Sequence, residues 1–368
     1  MTKPEISVFI PVYKESFLLP DILSTLITQD VKKEIFVIID EPTEFSLTVI
    51  NEFKEKVKFI VNNKRVGKVN ALNNVVKQSS GEILLFLDAD IEIKDSAFLK
   101  KIEEELKDAD ILDIKKEVVK DSFLAKMAYY EYVGINMGAW MLSKFLKKCP
   151  SVNGSAFAIK RDTFESLGGF RRVIVEDVDL ATRAFINGAI FKYSENVKVY
   201  NHVHSSFKNW LIQRKRWSVG TALWFKEWYK PLLKTVFKTP QIIIPALFFL
   251  FPSLLLFLLS IFAENLWAYK LVSLVFLFFA VKVNAAFPFL IFIMLSIDFI
   301  RKPILSMLSF FIFSLIFYAL SKKLGFTFKI HEFFIYYFIY SPLNLFITIN
   351  GIIRVFIFNK KDTQDWKV

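Results

Sequence analysis

Asp88-Ala89-Asp90 sets two carboxylates one residue apart at the end of the apolar run Gly81-Glu82-Ile83-Leu84-Leu85-Phe86-Leu87. That run reads as a buried parallel strand reaching the surface. Alternate residues of a strand point the same way, so both carboxylates can face one ligand. Hard oxygen donors suit Mg2+ or Mn2+, and a metal held by only one or two carboxylates usually shares its shell with substrate phosphates. A solvated strand end is the plain alternative for a D-x-D that stands alone.

It does not stand alone. Arg65-Val66-Gly67-Lys68-Val69-Asn70-Ala71-Leu72-Asn73 puts a Gly-Lys pair at a helix start, where backbone N–H groups and an ammonium suit a diphosphate. Val152-Asn153-Gly154-Ser155 leads to Leu167-Gly168-Gly169-Phe170, a helix stop more in keeping with turn geometry than with ligand contact. Glu176-Asp177-Val178-Asp179-Leu180 is an acidic cluster opening a helix, where carboxylates also serve as plain caps. Gln213-Arg214-Lys215-Arg216-Trp217 follows.

The elements that must carry these groups alternate. Ser7–Val12, Glu34–Ile39, Lys58–Asn62 and Glu82–Leu87 read as strands, with helical spacing over Asp21–Gln29 and Val69–Gln78. Such alternation predicts a parallel sheet whose ligands bind beyond the carboxyl ends of the strands. Glu15, Asp40, Glu41, Asp88 and Asp90 all fall at that edge. Ser122–Lys148 reads as a helix that either packs in the core or lies on a membrane surface. Lys208–Lys238, with Trp210, Trp217, Trp224 and Trp228 among basic residues, reads as interfacial.

Beyond Thr239 the composition changes. The chain of 368 residues is 54% hydrophobic with 42 Phe, and much of that apolar content is concentrated after Pro240. Ile242–Phe262 is uncharged and about 21 residues long, enough to span a bilayer. Leu266–Val281, Val283–Ile300, Ile304–Leu320 and Phe333–Phe358 are further apolar blocks. About four spans are expected, with five as the alternative. The net charge of +12 includes Lys208–Lys238, as positive-inside placement expects, and no recognition motif points to nucleic acid. Met1–Glu5 resembles no signal peptide and Cys149 is the single cysteine, so the first domain is expected on the cytoplasmic side of the cell membrane. The expected divisions are 1–206 catalytic, 207–239 interfacial, 240–358 transmembrane and 359–368 tail.

In their order and spacing, G-K-x-x-A-L-N, D-x-D, G-G-F, E-D-x-D-L and Q-x-x-R-W resemble glycosyltransferase family 2, in its membrane-embedded, polymer-forming branch. Cellulose, chitin, hyaluronan and poly-N-acetylglucosamine synthases share Q-x-x-R-W, as do glucosylceramide synthases. The resemblance implies a Rossmann-like α/β GT-A domain, a UDP-sugar donor, an inverting mechanism and Mg2+ or Mn2+ at Asp88 and Asp90. It implies Asp177 as general base, with Glu15, Asp40, Lys68, Asp88, Gln213, Arg214 and Arg216 on the nucleotide sugar. Trp217 and Glu176 would meet the acceptor, a growing polysaccharide or, in the alternative, a lipid such as polyprenyl phosphate or a ceramide. A non-catalytic transport or scaffold protein is the distant alternative, which the intact Asp88, Asp90 and Asp177 oppose. Asp40-Glu41-Pro42-Thr43 departs from the family's Asp-Asp-Gly-Ser, and Gly325-Phe326-Thr327-Phe328-Lys329 is only faintly similar to the gating loop of cellulose synthases.

Overall fold

The computed structural model describes residues 4–238 and 306–359, with Val275 and Phe278 between them. The first half alternates as expected: β1 (Ile6–Tyr13), α1 (Leu19–Ile27), β2 (Lys33–Asp40), α2 (Glu44–Phe53), β3 (Lys58–Asn62), α3 (Lys68–Val76) and β4 (Ile83–Leu87). β-Branched and aromatic residues fill the strands. Pro20 sits in the first turn of α1, and the Thr43 hydroxyl caps α2 by accepting from the Ser46 N–H.

Next come β5 (Ile91–Glu92), α4 (Phe98–Leu106), β6 (Ile111–Val118), α5 (Phe123–Leu146), β7 (Ala156–Lys160), α6 (Arg161–Ser166), α7 (Glu176–Ile186), β8 (Phe191–Asn201) and α8 (Phe207–Lys238). All eight strands form one sheet in the order β3-β2-β1-β4-β7-β6-β8-β5. β3, β2, β1 and β4 are parallel, whereas β7 runs antiparallel to both β4 and β6. β6 and β8 pair in parallel again, so the expectation of a parallel sheet holds except for β7 and the two-residue β5, which runs antiparallel to β8. Loop 147–155 delivers the chain to the edge where β4 ends, so β7 starts there and must run back. That reversal brings Asn153-Gly154-Ser155 beside Asp88.

Side chains alternate across the pleat and build two cores. Phe9, Phe36, Leu84 and Phe86 face one, together with α3, α5 and α7. Val8, Ile10, Val37 and Leu85 face the other, with α1 and α4. α5 starts at Ser122, whose hydroxyl accepts from the Ala125 N–H, and most of its residues are buried. Core packing is the reading that fits it.

Among the described residues, two helices are long and apolar enough to cross a membrane: α9 (Ser306–Lys323) and α10 (Ile330–Phe356). α10 contains a π-helical segment at Tyr336–Tyr340. The blocks at 242–262, 266–281 and 283–300 lie outside the described residues, apart from Val275 and Phe278, so the structure bears on two of the expected spans. The α9–α10 connection docks on α5. Tyr129 Oη donates to the Thr327 carbonyl (3.0 Å) and accepts from the Thr327 N–H (2.8 Å), and Tyr130 Oη accepts from the Lys329 N–H (3.0 Å).

α8 is sewn to α7. Asp179 is 1% exposed and accepts from Arg171 (3.1 Å), Arg183 (2.9 Å) and the Trp228 indole (3.1 Å), while the Trp224 indole donates to Thr182 (2.9 Å). Arg183 also donates to the carbonyls of Leu167 and Gly169, which fixes the turn before α7. Removing one member of a buried ion pair strands the others and costs about 3–5 kcal/mol. Asp179→Ala should therefore lower stability by about that amount in denaturant unfolding. An unchanged midpoint would show that this junction contributes nothing.

Candidate active site

Both sides of the D-x-D are anchored. The Asp88 N–H donates to the Ser155 carbonyl (2.8 Å), and the Asp90 carbonyl accepts from the His202 N–H (3.0 Å) as the chain enters β5. Ser16 Oγ donates to the Ala89 carbonyl between them. Asp90 keeps contact with solvent, yet surrounding protein and the Asp88 charge push its carboxyl well up from the ordinary aspartate range. The repulsion that Asp90 feels from its neighbour is what a divalent cation relieves. Among the described residues no cluster of three or more His, Cys, Asp or Glu could cage a metal. The donors present fit a cation that completes its shell with a ligand's phosphates.

Lys68 joins the two halves of the cleft. Its Nζ lies 2.9 Å from Asp88 Oδ1 and 3.1 Å from Glu176 Oε1. Burial alone would lower this lysine, but the charges of Asp88, Glu176 and Asp177 overrule it and raise its pKa. Glu176, expected at the acceptor, is buried and committed to that pair.

Asp177 opens α7. Its Oδ2 accepts from the Gly154 N–H (2.7 Å) and its Oδ1 from the Val178 N–H (2.8 Å). Burial first, and the Glu176 charge second, push the carboxyl up to about 6 against the pull of Lys68 and the two N–H groups. One loop thus holds both acids: Ser155 receives Asp88, and Gly154 grips Asp177. Asn153 Oδ1 accepts from the Ser155 N–H (3.1 Å) and hydroxyl (3.0 Å), which braces the loop. Beneath it Asp113 and Lys116 form a buried pair, and the Asn153 N–H faces Asp113. Phe170 of G-G-F stands edge-on to Phe86 at 4.9 Å under the cleft floor. Gly168 and Gly169 take positive φ, and Asn73 ties Phe170 down through its N–H (3.0 Å) and carbonyl (2.8 Å). That motif is turn and floor.

Asp40 spends its carboxylate on protein: Oδ1 accepts from Asn62 (2.9 Å) and Oδ2 from the N–H groups of Val66 and Gly67 (3.0 Å each). Its direct work is to shape the loop that presents Lys68. Glu15 is exposed and accepts from Thr43 Oγ1 (2.6 Å). Arg65 lies over the Tyr13 ring at 4.4 Å, and Tyr13 donates to Glu41 (3.1 Å). Lys14 and Glu41 both adopt left-handed backbone (φ 63° and 56°) where β1 and β2 end. For residues of this kind that conformation is uncommon, and it concentrates at functional edges.

The Q-x-x-R-W segment divides. Arg216 lies within electrostatic reach of Glu176, Asp88 and Asp177 and of Arg65, and Gln213, three residues earlier, shares its side of α8, whereas Trp217 sits beside the Arg214 guanidinium. Arg214 is not brought to this cluster. It is 4% exposed and is paired with Glu131 of α5. Sequence reading missed Glu131, Asp113, Lys116 and the buttress Asn73. A lone glutamate in the buried stretch Tyr129-Tyr130-Glu131-Tyr132 was the available signal, since such a charge is rarely buried unpaired.

Residues 7–168 match the family model Glycosyl transferase family 2. That stretch is a family 2 glycosyltransferase domain. The chain is 25% identical over 342 residues to the probable glycosyltransferase YdaM of Bacillus subtilis, covering 87% of this chain and 80% of that one. It is 28% identical over 223 residues to the poly-β-1,6-N-acetyl-D-glucosamine synthase of Staphylococcus epidermidis, covering 58% of this chain and 54% of the relative. The fold is similar to that of a mannosyltransferase from Pyrobaculum calidifontis solved with GDP-Man and Mn2+ (TM-score 0.51, 20% identity, 82% of this chain and 87% of that one). This likeness shows the shared GT-A-like fold.

A Cβ at Gly154 would meet Asp177 Oδ2 at 2.5 Å. Gly154→Ala must therefore displace that carboxylate, and misplacement of about 1 Å can cost about a hundredfold in rate. Sugar transfer should fall by about that factor with little change in thermal midpoint. Full activity in a folded variant would remove Gly154 from the positioning of Asp177.

Proposed function

We propose that this chain is an inverting membrane glycosyltransferase that moves a hexose or N-acetylhexosamine from a nucleotide sugar, with UDP as the expected nucleotide, to a growing polysaccharide. One observation carries the reading: Lys68 and the Asn153–Ser155 loop hold Asp177 and the D-x-D in one cleft. The polymer acceptor is supported by the likeness to the poly-N-acetylglucosamine synthase. The two long apolar helices support membrane association, and the basic stretch Lys208–Lys238 is the ground for putting the first domain on the cytoplasmic side.

In this reading Asp177 takes the proton of the acceptor hydroxyl while that oxygen bonds to the anomeric carbon. The bond from that carbon to the diphosphate breaks, and the electron pair leaves with the nucleoside diphosphate. A carboxyl raised towards neutrality is a stronger base than an ordinary aspartate and still ionised at pH 7. A divalent cation bound at Asp88 and Asp90 would neutralise charge on the departing diphosphate. Lys68 and Arg216 supply fixed positive charge on the same side. Gln213 and Glu15 complete the donor contacts, Asp40 acts through the loop it shapes, and Trp217 and the Glu176 neighbourhood meet the acceptor.

Asp177→Asn should abolish transfer while leaving nucleotide binding within about threefold, because a base is needed in the transition state and not for binding. The groups facing Asp177 are Glu176, Lys68 and Arg216, with the N–H groups of Gly154 and Val178. Its folded-state pKa is raised, so the working carboxylate is present above about 6 and lost below it. The wild-type rate should fall about tenfold per pH unit beneath that point. Equal loss of binding and transfer in the Asn variant, or a rate flat down to pH 4.5, would sink the assignment.

A further inference from the structure

Arg214 is one residue from the middle of Q-x-x-R-W, yet its side chain serves a different purpose. Nη1 donates to Glu131 Oε1 (2.5 Å) and Nη2 to Tyr340 Oη (3.2 Å). Tyr340 Oη donates to Glu131 Oε2 (2.8 Å) and accepts from the Trp210 indole (3.1 Å), and Asn344 Nδ2 donates to Glu131 Oε1 (3.0 Å). Glu131, Trp210, Arg214 and Tyr340 are all buried. The guanidinium also lies 4.5 Å from the Trp217 ring centre. Three helices far apart in sequence meet here: α5 of the catalytic domain, α8, and α10 at its π-helical segment. Such segments are rare and recur at functional sites.

Helix geometry gives the network a consequence. Residues two apart on a helix are separated by about 160° around its axis. Fixing Arg214 inward against Glu131 and Tyr340 therefore turns Arg216 outward, to the side where Asp88, Glu176 and Asp177 lie. Trp217, about 60° from Arg214, is held by the stacked guanidinium. A buried ion pair often adds little to stability over an apolar replacement, and setting a register is its best attested use.

We propose that Glu131 and Tyr340 are positioning residues: with Arg214 they set the rotation of α8, and so link the apolar helix α10 to the placement of Arg216 and Trp217 in the cleft. This rests on the transferase reading above. The test uses the full chain in lipid vesicles, with the double variant Glu131→Leu/Arg214→Met and the single variant Tyr340→Phe. Three quantities are compared with wild type: thermal midpoint, affinity for UDP and for GDP with Mn2+, and kcat and KM for the donor.

The expected result is a double variant that stays folded, binds nucleotide diphosphate about tenfold more weakly and loses kcat by about a hundredfold. Tyr340→Phe should show the same pattern at about threefold to tenfold, with an unmoved midpoint. Wild-type affinity, KM and kcat in folded double variant would overturn the proposal. If that variant does not fold, Tyr340→Phe decides, and wild-type values there overturn it equally. A merely structural network would lower the midpoint while leaving KM and affinity of the folded fraction unchanged, which also counts against the proposal. Wild-type protein that binds UDP or GDP but turns over no donor would refute the transferase reading alone, and the affinity ratios would still judge the positioning claim.

Discussion

A single ammonium, that of Lys68, sits between acids delivered by distant parts of the chain: Asp88 at the end of β4 and Glu176 at the start of α7. Without it no ammonium would bridge Asp88 and Glu176, and the acids of the cleft would be left to the charges of Arg216 and Lys116. The fold takes some trouble to put it there. Asp40 organises the Arg65–Gly67 loop through backbone N–H groups, Gly67 turns the chain with φ 92°, and α3 starts at Lys68. The same charge that joins the acids also restrains the rise in the Asp177 pKa, so binding and base strength are set by one contact.

Around that point the architecture is a set of constraints on where α7 and α8 sit. Reversal of β7 supplies the loop that grips Asp177 and Asp88 together. Asp179, one turn face away from Asp177, reaches Arg171, Arg183 and Trp228 and binds α7 to α8. α8 is then held on its other flank by α5 and α10. Ser218 lies against Gly351 and Phe225 against Phe356, so the apolar carboxy-terminal helix runs alongside the helix that carries Arg216. The catalytic domain and the apolar segment share an interface through the residues next to the chemistry.

Much of this was legible in the chain. Strand ends and helix starts follow from local periodicity, so Asp40, Asp88 and Asp90 could be placed at one sheet edge and Lys68 and Asp177 at helix starts, while only the family resemblance joined the two sets. What could not be read was the division of labour among neighbours. Arg214 and Arg216 look alike in sequence, and only the rotation of a helix against partners 83 and 126 residues away separates them. Asp177 and Asp179 look alike too, but one faces the cleft and the other meets Arg171 and Arg183. Asp40 gave no hint that backbone N–H groups 26 and 27 residues on would claim it. The antiparallel β7 was missed because direction in a sheet is set by where a preceding loop ends, not by the residues of the strand.

The central claim is that this cleft transfers sugar from a nucleotide donor to a growing chain. The most direct test is nucleotide release by the purified protein in lipid vesicles with Mg2+ or Mn2+, across a panel of UDP-sugars and GDP-mannose, with products sized and extracted into organic solvent. The account predicts metal-dependent release from one donor together with a ladder or high-mass polymer. A single organic-soluble glycolipid would contradict the polymer acceptor, and release that persists in full without divalent metal would contradict the part given to Asp88 and Asp90.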